Sequence, residues 1–94
     1  MYFSGRGVAK DDTEAARWFL KAADQGQSTA QFQLGIRYAL GDGVPKDAVE
    51  AYKWFNLASA AGNGKAGENR DLISKRMSRE EIAEGQRLSR EWTR

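Results

Sequence analysis

The sequence predicts an all-α fold: a short solenoid of stacked helix–turn–helix units closed by a C-terminal helical cap. Three observations carry this. The phrase GRGVAKDDTEAARWF at residues 5–19 returns 36 positions later as GDGVPKDAVEAYKWF at residues 41–55. Apolar residues recur at helical spacing within and around both copies. Nowhere does the chain alternate apolar and polar residues as a half-buried strand would.

The register of the repeat is dense. Tyr2/Tyr38, Gly5/Gly41, Gly7/Gly43, Val8/Val44, Asp11/Asp47, Glu14/Glu50, Ala15/Ala51, Trp18/Trp54, Phe19/Phe55, Ala22/Ala58 and Gly26/Gly62 all match. Self-similarity at a period of roughly 20–50 residues marks a solenoid or array, because one unit cannot bury its own apolar face. Within each unit, Gly-x-Gly-Val reads as a turn whose glycines need positive φ. Asp11 and Asp47 then read as N-caps. Thr13–Asp24 places Ala15, Trp18, Phe19, Ala22 and Ala23 on one helical face. Gln25-Gly26 reads as its C-terminus. Ser28 opens a second helix, with Ala30, Leu34 and Tyr38 one turn apart, and Gly41 closes it. Ala48–Ala61 repeats the first helix. Ala22, Ala58 and Gly35 permit close helix approach, and the shared register of Trp18 and Trp54 predicts that both are core.

Beyond Ala66 the repeat stops. Arg70, Asp71 and Ser74 stand where Leu-Gly and Tyr would recur, so no further unit is expected to stack there. SREE at residues 78–81 is a capping box, followed by an apolar stripe of Ile82, Leu88 and Trp92. Lys65–Arg76 and Arg79–Trp92 therefore read as helices of a C-terminal cap, which an array needs on its last exposed face.

Composition removes several functions. The chain has no cysteine and no histidine. Disulfides, Cys/His zinc sites and Ser-His-Asp or Cys-His catalysis cannot be built from it. Gly5-x-Gly7 and Gly41-x-Gly43 lack the strand and the lysine of a phosphate loop. Asp11/Asp12 and Glu80/Glu81 sit at expected helix starts, where negative charge suits the helix dipole. No catalytic, cofactor-binding or metal-ligating residue is assigned, and no cofactor is expected. The net charge is +2. Lys75, Arg76 and Arg79 are the tightest basic group, but Glu80, Glu81 and Glu84 follow at once. That pattern fits a solvated mixed-charge helix surface and not a nucleic-acid face. No stretch has the roughly 20 apolar residues that span a bilayer, so no membrane insertion is expected.

The segment LGIRYALGDGVPKDAVEAYKWFNLASAAGN, residues 34–63, resembles the Sel-one-like repeat (SLR), a relative of the tetratricopeptide repeat. Ala30, Leu34, Gly35, Tyr38, Gly41, Gly43, Val44, Asp47, Glu50, Ala51, Trp54, Ala58 and Gly62 match its pattern, and Ser59 departs from it. YFSGRGVAKDDTEAARWFLKAADQG, residues 2–26, resembles the later part of a preceding repeat. The resemblance implies an α/α right-handed solenoid of TPR-like helix–turn–helix repeats with a C-terminal capping helix. It divides a single SLR domain, residues 1–94, into a partial repeat at about 2–26, a full repeat at about 28–62 and a cap at about 64–93. It also implies a C-terminal portion of a longer repeat protein, since the chain begins inside a repeat. Members of the family typically bind other proteins, and many in bacteria act in signalling, envelope processes or host interaction. Some cysteine-rich members are linked to β-lactam binding, a subtype whose frame is absent here.

The expected function is thus a non-catalytic adaptor that binds a protein or peptide partner on its concave face. On the 28–40 helix, Thr29, Phe32, Ile36 and Leu40 point away from Ala30, Leu34 and Tyr38. One repeat later the same positions are Lys65, Glu68, Leu72 and Arg76. These eight are the candidate partner-binding residues, with packing of Phe32 and Ile36 against a neighbouring helix as the competing reading. The alternative function is a self-associating module. Trp18, Phe19 and Ala22 are expected to be short of packing partners, which would favour a homodimer or helix swap through the N-terminal end. A small hydrolase ranks below both, since no serine lies in an S-x-x-K or G-x-S-x-G context.

Overall fold

The computed structural model describes the backbone of residues 8–92 and the side chains of residues 13–92. The described residues form five helices and no strand: α1 (Val8–Asp24), α2 (Ser28–Leu40), α3 (Ala48–Ala60), α4 (Gly64–Ser74) and α5 (Arg79–Trp92). Helix α3 is the hub. It packs on α2, α4 and α5, while α1 packs on α2.

Local sequence explains the boundaries. Gly41 ends α2 in the left-handed region at φ +78, and Gly43 follows at φ +80, as the turn reading requires. The amides of Gly41 and Asp42 both donate to the Arg37 carbonyl, closing the last turn. Asp47 caps α3, its carboxylate accepting from the amides of Val49 (3.0 Å) and Glu50 (3.1 Å). Asn63 does the same for α4 through the Ala66 amide at 3.0 Å. The Ser78–Glu81 capping box forms in both directions, at 2.8 and 3.1 Å.

The equivalence of Asp11 and Asp47 fails. Helix α1 starts at Val8, so Asp11 lies inside it and is no N-cap. The physical difference is one residue: Pro45 stands where the first copy has Ala9. Proline lacks an amide donor and disfavours helical backbone in the residue before it, so α3 starts only after it, whereas alanine lets α1 begin earlier. The predicted Gly5-x-Gly7 turn lies outside the described residues.

Two clusters make the core. Ala23, Ala30, Leu34, Trp54 and Leu57 form the first, with Phe19, Ala22, Tyr38 and Trp92 packed against it. Ala51, Phe55, Ala58 and Ala66 form the second, joined by Phe32, Ile36, Ala39 and Ile73. Phe19 and Ala22 are therefore not short of partners. Trp18 is: 67% of its surface is exposed, against 2% for Trp54. The prediction that both tryptophans are core is corrected for Trp18. Trp54 is enclosed by α1, α2 and the edge of Trp92, whose ring lies 5.9 Å away. No described element covers Trp18 in that way.

Close approach depends on two glycines. A Cβ on Gly35 would stand 2.6 Å from the Phe55 ring, and one on Gly85 2.6 Å from Tyr52. Gly35 thereby sets the α2–α3 spacing, and Gly85 lets α5 lie flat along α3. Ser89, also buried, gives its hydroxyl to the Gly85 carbonyl at 2.9 Å. At its far end α5 reaches back to α1, where the Trp92 indole N–H meets Asp24 at 3.5 Å.

Candidate binding groove

On the flank of α3 away from α5, a groove opens between α2 and α4. Phe55 of α3 forms its floor, with Ala48 at one end. Ile36, Ala39 and Leu40 line it from α2, and Asn69, Leu72 and Ile73 from α4. Lys46, from the α2–α3 connection, and Lys75 and Arg76, just past α4, complete it. Its volume is about 810 Å³, within the roughly 300–1,000 Å³ common for ligand pockets.

The groove's two halves have different causes. Its floor is core, since Phe55 is 2% exposed. Phe32 stacks on that ring at 6.0 Å between centroids, in a tilted arrangement. The walls end in two leucines with little cover, Leu40 at 63% and Leu72 at 61% exposure. Leu40 closes α2 immediately before the Gly41 turn, so its side chain lies beyond the last packed turn. Leu72 lies on α4, where only Ala66 is fully buried. Helix α4 is also tethered by a polar contact, with Arg70 donating to the side-chain amide oxygen Oδ1 of Asn56 at 2.9 Å.

The structure brings four of the eight predicted residues together: Ile36, Leu40, Leu72 and Arg76 all line the groove. Phe32 sits outside that lining, half-buried in the second core cluster with Ile36. The competing reading, packing against a neighbouring helix, thus describes Phe32, while Ile36 both packs and lines. Thr29, Lys65 and Glu68 are exposed and do not line the groove. Lys46, Lys75, Asn69 and Ile73 were missed. A helical wheel of α2 carries no information about a loop lysine, and Lys75 was grouped with a solvated helix surface although it ends α4 beside the opening.

Tyr38 has its phenol pushed above the ordinary tyrosine range, first by burial, then by the Glu50 and Asp47 carboxylates. It is therefore neutral at physiological pH. Among the described residues, no three His, Cys, Asp or Glu side chains are grouped so as to hold a metal ion. No helix there is long and apolar enough to cross a membrane.

Two consecutive Sel1 repeats match the chain, at residues 1–27 and 28–63. The chain belongs to the Sel1 repeat family. The crystal structure of c5321, a protective antigen present in uropathogenic Escherichia coli strains that displays an SLR fold, superposes with a TM-score of 0.85. The two are 40% identical, over 94% of this chain and 19% of that one. HRD3A of Arabidopsis thaliana, an ERAD-associated component of an E3 ubiquitin-protein ligase, is 47% identical over 38 residues, which is 40% of this chain and 6% of HRD3A. The chain thus spans a small part of each relative. The fold is an all-helical SLR solenoid. Sel1-repeat proteins are in general non-catalytic modules that bind protein partners.

Proposed function

We propose that this Sel1-repeat chain is a non-catalytic interaction scaffold that takes a protein or peptide partner in the groove between α2 and α4, on the concave face of its solenoid. The supporting observation is the pair of open leucines, Leu40 and Leu72, set above a floor that is otherwise core. An apolar recess built on a rigid floor can receive an anchor side chain with little reorganisation. In this reading residues 64–93 serve as the C-terminal cap, and α5 braces α3 from behind. The sequence has no histidine and no cysteine, which removes Ser-His-Asp and Cys-His catalysis and Cys/His zinc sites, in keeping with a binding role.

A selection from a random linear peptide display library on the immobilised chain tests this. Peptides should be enriched by the wild type and lost on Leu40→Gln/Leu72→Gln, a variant that keeps the helical spectrum. Equal enrichment by both proteins would contradict the groove as the site.

Self-association is a second reading, favoured by the exposed Trp18 beside Leu20 on α1. Sedimentation across a wide concentration range checks it. A strict monomer at the highest concentration would end it.

A further inference from the structure

Three cations stand on the rim of the groove, and no Asp or Glu lines it. Some basic side chains elsewhere are paired with carboxylates. Lys53 pairs with Glu50 at 3.1 Å, Arg70 with Asp71 at 3.3 Å, and Arg87 bridges Glu84 and Glu91. Among the described residues, Lys46, Lys75 and Arg76 have no carboxylate within 4.0 Å. The chain as a whole carries only +2, so this single-sign rim is a local arrangement and not a reflection of composition. Ile36, Leu40 and Leu72 line the same groove.

Each class of occupant meets these features differently. A basic segment would be repelled by the rim. A neutral apolar segment would cover the leucines but desolvate the three cations with nothing to pair them. A phosphate backbone would pair the cations and leave the leucines in water. A segment carrying both aliphatic anchors and carboxylates answers both features. We infer that the groove's partner is an acidic amphipathic peptide segment, with Leu, Ile or Phe anchors on the α2 and α4 walls and Asp or Glu opposite Lys46, Lys75 and Arg76. This rests on the binding role proposed above and specifies its chemistry.

The display selection, run at low salt and sequenced, tests it. Enriched peptides should be net acidic, with Asp or Glu flanking aliphatic or aromatic residues. A synthetic representative should bind about tenfold tighter than its Asn/Gln counterpart, the combined effect of three modest exposed ion pairs. That advantage should vanish at 1 M salt, where the screening length falls to about 3 Å. Lys46→Glu/Lys75→Glu/Arg76→Glu should enrich basic peptides instead. If that variant does not fold, the salt dependence of the wild type decides. Neutral or basic peptides enriched by the wild type and lost on Leu40→Gln/Leu72→Gln would overturn the acidic partner while leaving the groove as a binding site. A mixed-sequence oligonucleotide that displaces the peptide with higher affinity would overturn it in favour of phosphate. No peptide enriched above the leucine variant would overturn both readings.

Discussion

Helix α3 has two flanks, and they are finished in opposite ways. On one, α5 lies along Tyr52, Lys53 and Trp54, with Gly85 and Ser89 giving the contact its closeness and Trp92 closing the far end. On the other, α2 and α4 stand over Phe55 and carry two leucines that are more than half exposed. Both flanks start from the same kind of helix, rich in alanine and aromatics. The difference lies in what is placed against them. The sealed flank supplies stability, and in the proposed binding role the open one keeps apolar surface for a partner. Large apolar side chains are common at protein surfaces, so it is the grouping of two open leucines over a core floor that distinguishes this flank.

That contrast can be broken by substitution. Trp54→Ala on the sealed flank should cost about 3–5 kcal/mol, the usual loss for a buried tryptophan, read as a lower urea midpoint. A small domain has little more to lose, and outright unfolding agrees with the account. Gly85→Val should cost about 1–3 kcal/mol by forcing α5 off Tyr52. A neutral result would mean that α5 is not seated as described. Asp47→Ala removes the α3 cap and should cost about 1 kcal/mol. Asp11→Ala, at the same repeat position but inside α1, has no cap to lose and should change the midpoint far less. Trp18→Ala should stay within about 0.5 kcal/mol, as exposed substitutions do, and its indole should be the one that acrylamide quenches readily.

The fold was largely legible in the sequence, because turn glycines, helical spacing and a 36-residue register all point to one unit. Helices α2 and α5 take the bounds read from the sequence, and the capping box forms as written. The misreadings share a cause. Register fixes which face a residue occupies but not what lies opposite. Trp18 and Trp54 share a position, yet only Trp54 has Trp92 and α1 against it. Proline in one copy and alanine in the other moved a helix start by several residues. Gly85 reads in sequence as a weak point of a helix, and its value appears only once Tyr52 is found beneath it. The groove was half legible. The α2 wheel located Ile36 and Leu40, and their equivalents one repeat on include Leu72 and Arg76. Lys46 and Lys75 reach the rim from a connection and a helix end, where periodicity is silent.

The most direct test of the two-flank account is to measure the stability and the peptide capture of Leu40→Gln/Leu72→Gln side by side. The account predicts a urea midpoint within about 1 kcal/mol of wild type, since both side chains are more than half exposed and such sites contribute little to folding, together with loss of the selected peptides. A variant as damaged as Trp54→Ala, or one that still captures the same peptides, would contradict it.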